Sequence, residues 1–132
     1  MPKFQMRVYY QDTDASGIVY HSNYLKFAER ARTEWLLEKG LHDALLQEKK
    51  IGFVIRRAQI EYLKPARYED VLVIETQVVA MHASYMEVEH IFYRGETRLA
   101  CIALVVVFVD LTTFKPIRLP EDIKKLFMKG EN

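Results

Sequence analysis

The pattern of apolar and polar residues divides the chain into one long helical segment and a β-rich remainder. Between Asn23 and Lys39, apolar residues recur at the three- and four-residue spacing of an amphipathic helix, and charged residues fill the opposite face. Ser22 is a candidate cap for the start of this helix, and Gly40 is expected to end it. Shorter helices are predicted from Asp43 to Lys49 and, after Pro120, through Phe127.

Alternation of apolar and polar residues predicts five strands. Their expected bounds are Phe4 to Tyr10, Phe53 to Leu63, Val71 to Ala80, Tyr85 to Tyr93 and Leu99 to Val109. The segment from Gln11 to Gly17, between the first strand and the long helix, has the short polar side chains and the glycine of a turn. One long helix packed on a bent antiparallel sheet is an α+β fold, and we expect residues 1–132 to form a single domain.

The same alternation predicts which side chains face the core. In the third strand, Leu72, Ile74, Val78 and Ala80 are expected to share one face. The last strand, Leu99 to Val109, is apolar on both faces, which indicates burial on both sides. The long helix can cover only one of these faces, so the last strand predicts association between subunits.

Composition and charge narrow the class of protein. The chain has 19 basic and 18 acidic residues, and this balance argues against a nucleic-acid partner. The longest apolar run, Ala100 to Val109, is too short to span a membrane, and the N-terminus lacks the apolar segment of a signal peptide. Cys101 is the only cysteine, and no residues are spaced as metal ligands. We therefore expect a soluble cytoplasmic protein without a transmembrane segment or a metal site.

Four stretches carry a resemblance to a known family. Residues 9–24 read YYQDTDASGIVYHSNY and residues 27–32 read FAERAR. Residues 53–57 read FVIRR, and residues 61–67 read EYLKPAR, followed by Asp70. Together these stretches resemble the 4-hydroxybenzoyl-CoA thioesterase family, and within it the YbgC branch of bacterial acyl-CoA thioesterases. The resemblance extends over essentially the whole chain.

The resemblance implies the hotdog fold, in which an antiparallel five-stranded sheet wraps around a long central helix. It implies dimers that join their sheets edge to edge, often paired again into homotetramers. It also implies hydrolysis of small aliphatic or aromatic acyl-CoA thioesters without a metal or prosthetic group. Asp14 matches the family's catalytic aspartate, as nucleophile or as general base. The backbone N–H of His21, at the helix start, is expected to hold the oxyanion, with a secondary role for the imidazole.

The residues around Asp14 and the helix start receive other expectations. Asp12 is interpreted as a structural residue of its loop, and Tyr20 and Asn23 are candidate substrate-binding residues. Glu29 and Arg32 are spaced as an ordinary ion pair on the helix surface.

Coenzyme A carries phosphates, so a basic surface is expected beside the site. Arg56, Lys64 and Arg67 are the candidate substrate-binding cations, although solvated surface charge explains each of them nearly as well. Arg57 is expected to point away from Arg56, because neighbouring residues on a strand face opposite sides of the sheet.

Two other functions stay open at this stage. One is a hotdog hydratase or dehydratase, which needs a histidine and an acidic residue paired across the site. The other is a non-hydrolytic subunit that binds acyl thioesters and interacts with acyl carrier protein. Neither the acyl-chain preference nor the choice between coenzyme A and acyl carrier protein follows from the residues.

Overall fold

A computed structural model describes residues 2–41 and 43–128 of the chain. Its strands are β1 (Lys3–Arg7), β2 (Ile51–Tyr62), β3 (Val71–Met81), β4 (Tyr85–Arg94) and β5 (Thr97–Asp110). Its helices are α1 (Asn23–Glu38), α2 (Asp43–Glu48) and α3 (Glu121–Met128), and a single 3₁₀ turn follows β1 at Tyr10–Asp12. The strands form one antiparallel sheet in the order β1-β3-β4-β5-β2. In these ranges, no helix is long and apolar enough to cross a membrane.

The predicted elements are therefore all present, and most of their bounds differ from the prediction by one or two residues. The largest difference is at β1, which ends at Arg7 and not at Tyr10, because the chain turns into the 3₁₀ segment. The α+β class predicted from the hydrophobic pattern is confirmed.

The apolar stripe of α1 packs on one face of the sheet and forms the centre of the core. Tyr24, Phe27, Ala28, Ala31 and Trp35 are all buried on this helix. Burying these side chains against the sheet is the main source of the helix's stability, because the intrinsic propensity of an isolated helix of this length is marginal.

The two ends of α1 are stabilised differently. At the C-terminal end, the Leu41 N–H donates to the Leu36 carbonyl at 2.7 Å and the Gly40 N–H donates to the Leu37 carbonyl at 3.1 Å. Gly40 has a φ of 76°, so the helix ends in a Schellman motif, as its glycine predicted. Ser22 precedes the first helical residue, but its side chain makes no capping hydrogen bond. The prediction that Ser22 caps α1 is therefore correct for the position of the residue, but the capping hydrogen bond from its side chain is absent.

β5 lies between β4 and β2, and its two faces have different surroundings. Its inner side chains are buried in the core: Ala100, Ile102, Leu104, Val106 and Phe108. On the outer face, Cys101, Val105 and Val107 are only partly buried and Ala103 is exposed. The outer face is thus the apolar surface for which the sequence predicted a second subunit, and that association stays a prediction.

Two bulges overturn expectations that were based on strict alternation. The register of β3 shifts between Val78 and Ala80, so Met81 packs against the core where Ala80 was expected. The register of β2 shifts at Arg56, which has no partner on β5, whereas Arg57 pairs with Val105. Alternation therefore does not assign Arg56 and Arg57 to opposite faces of the sheet.

A largely buried network of three polar side chains, Arg32, His90 and Thr76, connects α1 to the sheet. His90 is fully buried, and its Nδ1 lies 2.9 Å from the Thr76 hydroxyl and its Nε2 lies 3.1 Å from an Arg32 nitrogen. Because a guanidinium only donates, His90 Nε2 is the acceptor and the Nδ1–H of the neutral ring donates to Thr76.

Burial lowers the pKa of Arg32, and the carboxylate of Glu29 opposes this effect. Arg32 bonds His90 and forms no ion pair with Glu29, so the predicted surface pair is wrong.

This largely buried network predicts that acid lowers the stability of the fold. Burial, and secondly the charge of Arg32, lower the pKa of His90 from 6.5 to about 3. Between these values the unfolded chain binds a proton that the folded protein does not. The contribution of His90 to the free energy of unfolding is thus complete above about pH 6.5 and falls by up to about 1.4 kcal/mol per pH unit towards pH 3. Urea unfolding between pH 7 and 4 should show a shallower pH dependence for His90→Gln than for the wild type.

The surface variant His82→Gln is the control, because it also removes one histidine, but one whose side chain is partly exposed. Its pH dependence should stay closer to that of the wild type than that of His90→Gln. Parallel curves for wild type and His90→Gln would contradict the assignment of a neutral buried ring.

Candidate active site

The segment between β1 and α1 folds into a tight hairpin that carries Asp14. Thr13 and Val19 pair across it, and the Asp14 N–H donates to the Ile18 carbonyl at 2.9 Å. The Gly17 N–H closes the turn on the Asp14 carbonyl at 3.0 Å, and Gly17 has a φ of 79°, which other residues rarely adopt. The hairpin therefore fixes the backbone of Asp14 while its side chain is exposed.

The two aspartates of this loop have different environments. Asp12 is 8% exposed, its carboxylate accepts the Tyr9 N–H at 2.8 Å, and its carbonyl accepts the Tyr20 N–H at 3.1 Å. Asp14 Oδ1 accepts the Ser16 N–H at 2.8 Å, and in the described part of the chain its Oδ2 has no partner. Asp12 thus bonds the loop backbone, while one carboxylate oxygen of Asp14 is without a partner among the described residues.

The start of α1 is joined to this loop by Asn23. The Asn23 side-chain amide donates to the Asp12 carbonyl at 2.8 Å, and the Asn23 N–H donates to the Tyr20 carbonyl at 2.9 Å. Among the described residues, the His21 N–H has no hydrogen-bond acceptor. An unpaired amide at the positive end of a helix dipole favours a negatively charged ligand atom. This is the backbone amide that the sequence analysis selected.

A cavity of about 360 Å³ opens beside His21. Apolar and aromatic side chains dominate its lining, which consists of Ile18, Val19, His21, Tyr24, Tyr62, Leu63, Lys64 and Pro65. Four of these residues follow one another at the end of β2 and beyond it. Their segment is held in place because the N–H groups of Leu63 and Lys64 both donate to the Leu99 carbonyl, at 2.8 and 3.1 Å.

Tyr24 joins this segment to α1. Its hydroxyl accepts the Ala66 N–H at 3.2 Å, and burial raises the pKa of Tyr24. The Ala66 carbonyl in turn accepts the Val19 N–H at 2.9 Å, so the cavity walls are bonded to each other. The sequence analysis did not select Tyr24, Tyr62, Leu63 or Pro65. The only signals for them were the place of Tyr24 at the end of the residue 9–24 stretch and the place of the other three in the EYLKPAR stretch.

The structure brings some of the predicted site residues together and separates others. His21 and Lys64 line the same cavity, and the Tyr20 ring lies 4.4 Å from the His21 ring. Within the described ranges, Asp14 and Asn23 are not part of that lining. Asn23, expected to bind substrate, has its side-chain amide on the Asp12 carbonyl.

The predicted cations are dispersed. Arg67 lies on the backbone next to the hairpin, where it bridges with Ile18, and its side chain is exposed. Arg56 lines a separate cavity of about 440 Å³ on the outer side of the sheet. A further cation that sequence reasoning missed, Arg94, bonds the Asp70 carboxylate at 2.7 Å. Asp70 also accepts the Arg67 N–H at 2.9 Å, which makes Arg94 a structural support for this loop.

The described residues also include other potential metal ligands and a potential nucleophile, the Cys101 thiol. In residues 2–41 and 43–128, no three His, Cys, Asp or Glu side chains are grouped to hold a metal ion. Burial, reinforced by the nearby carboxylate of Glu89, raises the pKa of the Cys101 thiol. A thiol with a raised pKa is a poor nucleophile.

Comparison with known proteins identifies the family. A family model of the thioesterase-like superfamily matches residues 8–127. The chain belongs to this superfamily. Acyl-CoA thioesterase YbgC of Haemophilus influenzae is 38% identical to this thioesterase-like chain over 125 residues, which are 94% of the chain and 92% of the relative. Acyl-CoA thioesterase YbgC of Helicobacter pylori is 33% identical over 130 residues, with 91% and 95% covered.

The solved structures agree with this assignment. The crystal structure of a probable thioesterase from Bartonella henselae matches with a TM-score of 0.84 and 35% identity, covering 89% of this chain and 98% of that one. The family resemblance and the hotdog fold expected from the sequence are both confirmed.

The contrast between the two loop aspartates gives a stability prediction. Asp12→Ala removes the acceptor of the Tyr9 N–H and should lower the free energy of unfolding by about 1–2 kcal/mol. Asp14→Ala should change it by less than about 0.5 kcal/mol, because Asp14 is exposed and water can replace its bond to Ser16. Urea unfolding at pH 7 measures both. An Asp14 variant that is less stable than the Asp12 variant would contradict the assigned roles.

Proposed function

We propose that the protein is a cytoplasmic acyl-CoA thioesterase, in which Asp14 and the His21 N–H act on the thioester carbonyl. One observation carries the proposal: the hairpin and the start of α1 are joined at the Asp12 carbonyl. Among the described residues, the hairpin has one carboxylate oxygen without a partner, on Asp14, and the helix start has one unpaired amide, that of His21. The names of the YbgC relatives support the substrate class. Cys101 is the only cysteine, so the fold needs no disulfide and no oxidising compartment.

The proposed reaction places negative charge on the thioester carbonyl oxygen as the nucleophile adds. The His21 N–H and the dipole of α1 would stabilise this oxyanion without reorganisation. Either Asp14 attacks the carbonyl carbon, forms a mixed anhydride and expels the thiolate, or it takes a proton from the water that attacks. In the first route, a water then hydrolyses the anhydride. After a single turnover in ¹⁸O-labelled water, mass spectrometry of the protein would detect label in Asp14 only in the first route, and only when the water attacks the aspartyl carbonyl of the anhydride.

The cavity beside His21 is proposed to receive the acyl group. Its apolar and aromatic lining suits a small aliphatic or aromatic acyl chain. Lys64 is proposed to contact the carrier near its phosphates, which coenzyme A and acyl carrier protein both provide. Tyr20, beside the His21 ring, is proposed to contact the substrate as well.

We also propose that the protein assembles through the open edge formed by β2. This strand ends the sheet, and its Val54 and Ile55 side chains are 44% and 41% exposed. A long open edge strand is a template for pairing with another strand. If two β2 strands pair about a two-fold axis, the start of each lies beside the end of the other. Further pairing through the outer face of β5 would give a tetramer.

The proposed edge contact predicts a change of mass on substitution. A double variant, Val54→Lys and Ile55→Lys, places two charges on the open edge and should convert the dimer or tetramer into a smaller species. Val79→Lys is the control, because Val79 is 55% exposed but lies on β3 inside the sheet. Light scattering at micromolar concentration measures the masses. A monomeric wild type, or edge variants with unchanged mass, would refute the edge contact.

The thioesterase proposal is tested by thiol release from a panel of acyl-CoAs. Asp14→Asn should fold and lose about 10²-fold or more in kcat, because an amide is neither a base nor a nucleophile. Asp12→Asn is the matched control and should retain substantially more activity. Fully active Asp14→Asn, or equal losses from both variants, would refute the assignment. Substrate binding without thiol release, or hydration of an enoyl-CoA, would instead support one of the two other functions left open by the sequence.

A further inference from the structure

Tyr62, the last residue of β2, connects the sheet to the start of α1. Its hydroxyl donates to the His21 carbonyl at 2.9 Å, across 41 residues of sequence. Its ring packs edge-on against the Tyr24 ring, with the centroids 5.4 Å apart. Tyr62 is 48% exposed, so water could satisfy its hydroxyl, and the bond to His21 is not required by burial. The contact therefore calls for a reason other than core stability.

The bonds around His21 restrict the peptide groups on both of its sides. The peptide before His21 is held because the Tyr20 carbonyl accepts the Asn23 N–H at 2.9 Å. The peptide after it is held by the bond from Tyr62. Because peptide groups are planar, the His21 N–H lies in the first of these planes, and the Tyr62 bond on the second plane restricts rotation about the His21 Cα that joins the two. A donor aimed in advance at the developing charge is what an oxyanion site requires.

The Tyr62 bond has a second, electrostatic effect. The His21 carbonyl carries partial negative charge next to the place where the oxyanion is expected to form. Donation from Tyr62 offsets part of this charge and so reduces its repulsion of the oxyanion.

We infer that Tyr62 is a positioning residue, whose hydroxyl orients the His21 N–H for oxyanion stabilisation. This inference depends on the proposed thioesterase function. It assigns Tyr62 no contact with the reacting atoms. Its ring lines the acyl cavity, and its hydroxyl acts through the backbone of His21.

Tyr62→Phe tests the inference, because it removes the hydroxyl and keeps the ring in the cavity wall. We expect kcat to fall about three- to tenfold, the equivalent of one lost hydrogen bond, while KM changes less than about twofold. The pH profile of kcat should be unchanged, since Tyr62 donates no proton to the reaction. Tyr68→Phe is the control: Tyr68 is 49% exposed, and its hydroxyl bonds no described residue. It should behave as the wild type.

A second readout does not depend on turnover. In ¹H–¹⁵N spectra of the full chain, Tyr62→Phe should shift the amide signals of His21 and Ser22, and Tyr68→Phe should not. If Tyr62→Phe left kcat unchanged and the amide signals unshifted, the inference would be overturned. The proposed function would still stand, because the wild type would remain active. A rise in KM alone would also overturn the inference, because the hydroxyl would then bind substrate. So would a lost limb of the pH profile, because the hydroxyl would then act as an acid. A wild type inactive on every acyl-CoA would overturn the proposed function and the inference with it.

Discussion

The carbonyl oxygen of Asp12 accepts two hydrogen bonds, one from the Tyr20 N–H and one from the Asn23 side chain. These bonds fasten the hairpin that carries Asp14 to the turn that starts α1. Loops on a protein surface are ordinarily the most mobile part of a fold. Here a single backbone atom, itself placed by the buried side chain of Asp12, holds a carboxylate and an unpaired amide in a fixed relation. The remaining parts of the site are arranged around that junction.

The helix that presents the amide is in turn fixed along its length. Tyr24 bonds the backbone of Ala66 near its start, Arg32 reaches His90 at its middle, and the Schellman motif ends it at Gly40. The contacts of Tyr24 and Arg32 involve different parts of the fold, so α1 cannot slide along the sheet without breaking both of them. The precision that the proposed oxyanion site would need is therefore available from the scaffold and not from the loop alone.

The sequence predicted the parts of this structure that depend on local periodicity. The apolar stripe of α1, the alternation along β4 and the glycine at the helix end were sufficient to place those elements. The bulges at Arg56 and near Ala80 were not predicted, because an extra residue in a strand leaves no mark on composition. The contact between Tyr62 and His21 was missed for a different reason. It joins a side chain to a backbone atom, and only the folded topology brings the two together.

The strand order gives the sheet two unlike borders. β2 offers twelve residues for pairing, whereas β1 offers only five. Continued growth by strand addition requires that both edge strands of each molecule pair with neighbouring molecules. β1 is less than half as long as β2, so pairing at β1 would form few hydrogen bonds, whereas two β2 strands match in length. This arrangement would disfavour polymerisation and favour the closed pair proposed above.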